Sequence, residues 1–119
     1  MNNLNVEIIR DYCISKAGVE ETFPFDQTTL VFKVGGKMFA LLDVDNFTGV
    51  NLKCDPERAV ELRESYTGIV PGYHMSKVHW NTVYSNSDVD ANLFFELIDH
   101  SYSLVYSSLP KKIRDGISI

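Results

Sequence analysis

The sequence predicts an α+β fold in which an antiparallel β-sheet meander carries helices packed on one face, as a two-layer sandwich. Three observations support this. The apolar period is helical near both ends of the chain, it changes to two from Thr28 onward, and Gly35-Gly36 separates two apolar runs as in a tight hairpin. A chain of 119 residues with 45% hydrophobic and 23% charged residues is typical of one globular domain. We therefore expect residues 1–119 to form a single domain.

Three helices are predicted, and each has a residue that caps its start. They are expected over residues 3–16, from residue 55 to near residue 68, and from residue 87 or 88 to residue 109, where Pro110 follows. The expected N-caps are Asn2 or Asn3 for the first helix, Asp55 for the second, and Ser87 or Asp88 for the last.

The strands are predicted between these helices. In the first hairpin the two-residue turn pairs Val34 with Lys37, Phe32 with Phe39, and Leu30 with Leu41 on the core face. The other face then holds Val31, Lys33, Met38 and Ala40. Further strands are expected over residues 50–53 and 79–84. Residues 69–73 contain Pro71-Gly72 and are expected to form a loop, which a short edge strand can precede, and residues 20–26 are expected to form an extended connection.

Composition excludes several classes of protein. The N-terminal residues lack a basic, apolar signal sequence, and the longest apolar run, residues 38–42, is too short for a membrane helix, which requires about 20 residues. Cys13 and Cys54 are expected to be reduced, partly buried thiols. We expect a cytoplasmic monomer without membrane association, and the net charge of -5 argues against a large non-specific nucleic-acid footprint.

No catalytic or metal-binding pattern emerges from the residues. The three histidines, His74, His79 and His100, match no metal-ligand spacing, and His100 is expected to pack against or cap a neighbouring element. The Asp43/Asp45 and Asp88/Asp90 pairs lie at element ends, where aspartate serves turns and caps. Without a nucleophile motif, we expect a protein that is not an enzyme and holds no cofactor or metal.

One segment suggests a binding surface. Residues 69–87 contain no acidic residue, although the whole chain is acidic, and they carry a lysine and several aromatic side chains. Such residues contact phosphates, stack on bases or line a pocket for an anionic ligand. The candidate binding residues are Tyr73, His74, Lys77, His79 and Trp80, with Lys33, Lys37 and Lys53 added if the hairpin lies beside them. Alternatively, Trp80 and Tyr84 are core residues and the charge gap has no function.

Several blocks of the sequence resemble the MmcQ/YjbR-like family of small bacterial proteins. They are Phe-Pro-Phe at 23–25, residues 29–41, residues 51–58, Pro-Gly-Tyr-His-Met at 71–75, Lys77, His-Trp-Asn-Thr-Val at 79–83, and residues 96–102. The resemblance implies a frataxin-like (CyaY-like) sandwich with a double-wing arrangement, and such proteins are commonly labelled DNA-binding. It marks His74, Lys77, His79 and Trp80 but assigns none of them a catalytic role.

The resulting hypothesis is a small non-enzymatic binding protein that acts as a DNA-binding or regulatory module. In it, the lysines at positions 33, 37, 53 and 77 contact phosphates, with Lys111 and Lys112 as further candidates, and Trp80 or Tyr73 lies near the bases. The alternative is a module that binds an anionic small molecule or a protein partner through His74, Lys77 and Trp80.

Overall fold

The protein is a two-layer α+β sandwich, which confirms the predicted fold class. The computed structural model describes residues 2–73 and 75–117. In chain order, its elements are α1 (Val6–Ile14), β1 (Val19–Thr22), β2 (Thr29–Val34), β3 (Lys37–Asp43), β4 (Gly49–Lys53), α2 (Pro56–Ser65), β5 (Ile69–Pro71), β6 (Trp80–Tyr84), α3 (Ala91–Ser108) and α4 (Lys111–Asp115). No helix in these two ranges has the length and apolar content needed to cross a membrane.

The strands form one antiparallel sheet in the order β1-β2-β3-β4-β6-β5. Strands β1 to β4 follow one another as a meander. Helix α2 then carries the chain to the far edge, where residues 69–71, expected in a loop, form the short edge strand β5, which ends at Pro71. A proline suits an edge strand because it has no N–H to donate to a neighbour. Helix α3 packs across β2, β3 and β4.

The turn of the first hairpin is as predicted. Val34 pairs with Lys37, and Gly35 and Gly36 both have positive φ angles, of 58° and 81°. This left-handed conformation is accessible to glycine and costly for residues with a Cβ. A two-residue glycine turn therefore fixes where the hairpin reverses.

Beyond the turn, the predicted register of the hairpin is wrong. A β-bulge at Phe39 shifts the pairing by one residue, so that Phe32 lies opposite Ala40 and Val31 lies opposite Leu41. Phe39 stays fully buried in the main core, and Ala40 joins it. Leu41, which was expected in the core, turns to the opposite face of the sheet.

The first and last helices begin later than expected because other residues cap them. The side chain of Asn5 accepts a hydrogen bond from the Ile8 amide at 2.9 Å, and that of Asp90 accepts one from the Leu93 amide at 2.8 Å. Asp55 caps α2 as predicted, by accepting from the Arg58 amide.

The caps that were wrongly predicted for these two helices hold the loops together instead. Asn2 donates to the carbonyl oxygen of Val89 at 2.7 Å. The carboxylate of Asp88 accepts from the amides of Thr67 and Gly68, both at 2.8 Å, and these bonds lower the pKa of Asp88. Polar side chains near helix starts therefore serve long-range contacts as well as caps.

Two segments have more structure than the sequence indicated. Residues 20–22, expected in an extended connection, belong to the edge strand β1, whose residue Glu21 accepts a hydrogen bond from Arg10 of α1 at 3.0 Å. The basic residues after Pro110, for which no element was predicted, form the short helix α4.

A buried serine joins the helical layer to the sheet. Ser101 of α3 is fully buried; its hydroxyl donates to the carbonyl oxygen of Phe39 and accepts from the amide of Lys53 at 2.9 Å. Cys13 and Cys54 are free and buried, and burial raises their pKa values to about 12 and about 11. Neither thiol is therefore ionised near neutral pH.

Candidate ligand site on the open face of the sheet

The face of the sheet opposite the helices, called here the open face, carries its own apolar cluster. Val31, Leu41 and Trp80 are buried there, with Met38 and Met75 packed against them. In a two-layer sandwich the uncovered face of an antiparallel sheet is normally polar, because it meets water. The open face is therefore unusually apolar.

Cross-strand pairing arranges the side chains of the open face in three rows. The middle row is Thr22, Val31, Leu41, Asn51, Thr82 and Val70. The acidic row, at one end of the strands, is Thr29, Asp43, Gly49 and Tyr84. The lysine row, at the other end, holds Glu20, Lys33 and Met38, which pair across β1, β2 and β3, and Lys53 and Trp80, which pair across β4 and β6. Adjacent rows lie about 7 Å apart, since a strand rises about 3.3 Å per residue.

A pocket of about 540 Å³ opens on this face and runs from the acidic row across the middle row to Met38. Leu41, Asn51 and Thr82 lie on the strands beneath it. The loops that follow β1 and β5 add Phe25 and Tyr73 to its lining. The pocket is thus built by the sheet and by two loops that rise beside it.

A polar pair at the centre of the pocket holds one of these loops. The hydroxyl of Thr82 donates to the side-chain carbonyl of Asn51 and accepts from the Tyr73 amide at 3.1 Å. The amide nitrogen of the Asn51 side chain donates to the Tyr73 carbonyl oxygen at 3.4 Å. These bonds tie the loop after β5 to the sheet and place polar atoms among apolar neighbours.

Aromatic side chains surround the pocket and are open to solvent. Phe25, Tyr73 and Tyr84 are 65%, 72% and 36% exposed, respectively. Exposed aromatic residues around a pocket supply large contact areas at a low cost in side-chain entropy. They mark this pocket as a place where another molecule can be held.

The two carboxylates that line the pocket are engaged in turns. Asp26 accepts hydrogen bonds from the amides of Thr28 and Thr29 at 2.9 and 2.6 Å, and these lower its pKa. Asp43 accepts from the amides of Asp45 and Asn46, at 2.8 and 2.9 Å. The structural role predicted for Asp43 agrees with these bonds.

Two of the sequence-predicted lysines lie together at the edge of the pocket. Lys33 is the cross-strand partner of Met38, and Lys53 is that of Trp80, so both belong to the lysine row. Both are half-buried, and within residues 2–73 and 75–117 neither has a carboxylate within 4.0 Å. Glu20 is the cross-strand partner of Lys33 on the side away from the pocket.

Three other predicted residues, Lys37, Lys77 and His79, are not gathered with these two lysines. Lys37 pairs with Val34 and so belongs to the helix-covered side of the hairpin. Lys77 and His79 lie exposed in the loop before β6, where their carbonyl oxygens accept from Arg63 at 2.8 Å and from the Cys54 amide at 2.8 Å. His74 lies outside the described residues.

Trp80 is buried, with only 8% of its surface exposed, in the cluster with Val31 and Leu41. The core alternative for Trp80 therefore holds, although the cluster lies on the open face rather than under the helices. Tyr84, the other residue that this alternative assigned to the core, is 36% exposed. A tryptophan buried in this way cannot stack on a base unless the loop between β5 and β6, which contributes Met75 to the cluster, rearranges.

The remaining histidine has a structural role of the kind expected. His100 accepts a hydrogen bond from the amide of Asp55 at 3.2 Å, next to the start of α2. Burial, with the nearby Arg58, lowers its pKa. Among the residues that the structure describes, no three His, Cys, Asp or Glu side chains are grouped so that they could hold a metal ion.

Sequence reasoning missed most of the pocket. Of the predicted binding residues, Tyr73 lines it, whereas Met38, Leu41, Asn51, Thr82 and Tyr84 were not considered for binding. The alternation in β4 and β6 indicates which residues share a face within each strand. It does not reveal that β4 pairs with β6, which brings Asn51 opposite Thr82.

Known proteins share both the sequence and the fold. The YjbR family model matches residues 14–104. The uncharacterised protein YbdF of Escherichia coli O157:H7 is 39% identical over 95 residues, which cover 79% of this chain and 78% of that protein. The uncharacterised protein YjbR of Escherichia coli K12 is 31% identical over 112 residues, which cover 93% of this chain and 95% of that protein.

Two solved structures extend this similarity to three dimensions. The crystal structure of a Deinococcus radiodurans protein with a DUF419 domain has a TM-score of 0.89 and 42% identity, covering 94% of this chain and 86% of that one. The crystal structure of a Pseudomonas syringae protein has a TM-score of 0.74 and 30% identity, covering 86% of this chain and 99% of that one. Together with the match over residues 14–104, these similarities confirm the predicted resemblance: the chain belongs to the YjbR family.

Proposed function

We propose that this protein is a non-enzymatic binding protein that holds a small molecule in the pocket on its open face. The observation that carries the proposal is the pocket itself, about 540 Å³ in volume and lined by apolar, aromatic and polar side chains. Small-molecule sites typically have volumes of about 300–1,000 Å³ and combine an apolar lining with a few placed polar groups. Here Asn51 and Thr82 are the placed polar groups.

The chemistry of the lining favours binding over catalysis. The described lining residues include no histidine, cysteine, lysine or arginine. Its carboxylates, Asp26 and Asp43, accept backbone hydrogen bonds, and the pKa of Asp26 is lowered. A general base near neutral pH requires the opposite shift, because efficient proton transfer needs a pKa close to the working pH.

A thermal-shift screen against a metabolite library tests the proposal. A compound that binds only the native state at 100 times its Kd stabilises that state by about 2.7 kcal/mol, so the melting temperature rises by several degrees. Tyr84→Ala, which removes an exposed pocket side chain, should weaken the effect of a hit. Tyr106→Ala is the matched control, because Tyr106 stacks on Tyr102 in the helical layer.

Three outcomes would contradict the presence of a ligand site in the pocket. If no compound raises the melting temperature, if Tyr84→Ala responds to every hit as the wild type does, or if Tyr106→Ala loses as much of the response as Tyr84→Ala, the pocket is not a ligand site.

Binding of the DNA backbone is a second candidate function, favoured by one observation. Lys33, Lys53 and Lys77 have no carboxylate within 4.0 Å in the described part of the chain, so they are available to phosphates. The burial of Trp80 and the net charge of -5 count against base stacking and against tight non-specific binding.

Salt dependence tests this candidate. Binding to duplex or single-stranded DNA should weaken as salt rises, and each Lys→Gln change at these three positions should reduce the slope of log K against log salt by about 0.7 to 0.9. Lys111, a further phosphate-contact candidate from the sequence, lies 3.6 Å from Asp115 and so serves as the comparison: Lys111→Gln should change the slope less than the other three variants. If no binding occurs at low salt, or if the slope is unchanged in all variants, this function is excluded.

A further inference from the structure

We propose that the ligand of the open-face pocket is an organic anion. Its apolar or aromatic body lies in the pocket, and its carboxylate, sulfonate or phosphate group lies between Lys33 and Lys53. This inference rests on the proposed function, since it assigns the ligand class of the same pocket.

The geometry of the lysine row supports this assignment. The pocket ends at Met38, and Lys33 lies directly beside Met38 on the neighbouring strand. Lys53 follows Leu52, the partner of Ala40, so it lies on the other side of β3, level with the bulge. Adjacent strands are about 4.8 Å apart, so the backbones that carry the two lysines are about 10 Å apart. Two long, flexible side chains can close on one anionic group across that distance.

The state of the charged groups favours an anion over a cation. No side-chain hydrogen bond or ion pair engages the ammonium groups of Lys33 and Lys53 within the part of the chain that the structure describes. The carboxylates of Asp26 and Asp43, in contrast, already accept backbone hydrogen bonds. A cation at those carboxylates would compete with the turns, whereas an anion at the lysines would displace only water.

Distance along the strands separates Lys33 and Lys53 from the carboxylate of Asp43 in the acidic row, although Glu20 lies beside Lys33 on the side away from the pocket. Thr29, in the acidic row, is four residues from Lys33 on β2, and Gly49 is four residues from Lys53 on β4. Four residues of strand span about 13 Å, so an anion in the lysine row is more than a Debye length from the acidic row at physiological salt. Lys53 also pairs with the buried Trp80, and an apolar neighbour strengthens the attraction of the ammonium group for an anion.

Two fluorescent probes that differ by one charged group test the inference. 1-Anilinonaphthalene-8-sulfonate carries an aromatic body and a sulfonate, and N-phenyl-1-naphthylamine is the same ring system without the sulfonate. We expect the wild type to bind both, with the sulfonate probe binding more tightly. Trp80, the only tryptophan of the chain, should transfer excitation energy to either probe bound in the pocket.

The double variant Lys33→Gln/Lys53→Gln tests whether these two lysines hold the anionic group. It should weaken binding of the sulfonate probe about tenfold, as expected for the loss of two partly exposed ion pairs, and leave the neutral probe unchanged. Lys37→Gln is the matched control, because Lys37 precedes Met38 on the same strand but belongs to the other side of the hairpin. It should bind both probes as the wild type does. The sulfonate probe also binds partly unfolded proteins, so the melting temperatures of all variants are compared. If they are equal, a change in probe binding does not come from a loosened core.

The alternative outcomes separate the two proposals. If both probes bind the wild type and the double variant equally, the pocket binds ligands but the anion inference is wrong. An equal loss with Lys37→Gln would also overturn it, because the effect would then be one of overall charge. If neither probe binds the wild type, the anion inference is overturned, and a failed thermal-shift screen would remove the proposed function as well.

Discussion

The two faces of the sheet both bury apolar side chains, but in different surroundings. On the helix side, Phe39 is fully buried and makes an edge-to-face contact with Tyr102 of α3, their ring centres 5.4 Å apart. On the open face, Leu41 and Trp80 are 6% and 8% exposed, yet their neighbours include two methionines and a pocket of about 540 Å³. Buried apolar side chains therefore pack against the helices on one face of the sheet, and on the open face they form the floor of the pocket.

This difference explains why the sheet carries apolar residues on both sides. A sheet that only supported helices would need a polar outer face. Here two loops and a methionine-rich cluster cover part of the outer face and leave the rest concave. Methionine adapts its shape easily, which suits a surface that must accommodate another molecule.

The largest expected effect comes from the helix side. Phe39→Ala should lower the free energy of unfolding by about 3–5 kcal/mol, because it would leave a cavity in the fully buried core between the sheet and α3. Urea unfolding at neutral pH measures it. A loss below about 1 kcal/mol, in the range of ordinary surface changes, would show that Phe39 is not packed as described.

On the open face the corresponding truncation should cost less. Leu41→Ala is expected to lower the free energy of unfolding by about 2 kcal/mol, the low end for leucine, because the side chain already borders the pocket rather than packed atoms on one side. The same urea titration gives the comparison. A loss as large as that of Phe39→Ala would mean that the two faces are equivalent in packing.

The hydrogen bonds of Ser101, which join the helical layer to the sheet, should contribute less to the free energy of unfolding than the side chain of Leu41 does. Ser101→Ala leaves the Phe39 carbonyl and the Lys53 amide without their partner and should cost about 1.5 kcal/mol. Ser103→Ala, on an exposed position of the same helix, should change the stability by less than about 0.5 kcal/mol. Equal effects of the two changes would contradict the role given to Ser101.

The smallest expected effect is the pH dependence of the stability that Asp26 contributes. Hydrogen bonds from the Thr29 and Thr28 amides lower the pKa of Asp26 below its ordinary value of 3.8, so its contribution to stability is present above that value and is lost as the pH falls through the lowered pKa. Asp26→Asn should therefore destabilise most at neutral pH. The difference from wild type, followed by urea unfolding between pH 7 and pH 2, should shrink below pH 3.8. A difference that grows in acid would contradict the assignment.

Local signals predicted much of the fold. The Gly35-Gly36 turn and the Asp55-Pro56 helix start each depend on the conformation of a few adjacent residues, and the structure has both. The bulge at Phe39 has no comparable signal, because every residue from 38 to 42 is apolar and fits either face. A one-residue slip then moves Leu41 to the opposite side.

The site was harder to predict than the fold, since it depends on pairing between distant strands. Lys33 and Lys53 were predicted as binding residues from their charge, but their common row follows from the register of β2, β3 and β4. Asn51 and Thr82 meet only because α2 and β5 return the chain to pair β6 with β4. Charge and composition indicated candidate residues, and the topology decided which of them share a surface.

Amide chemical-shift mapping tests most directly whether the open face is the binding surface. In a titration of the ¹⁵N-labelled protein with 1-anilinonaphthalene-8-sulfonate, the largest shifts should fall on Leu41, Asn51 and Thr82 and on the neighbouring Lys33 and Lys53. The amides of α1 and of the exposed side of α3 should change little. Shifts concentrated on the helices, with the middle row unaffected, would show that the sheet's open face does not bind the ligand.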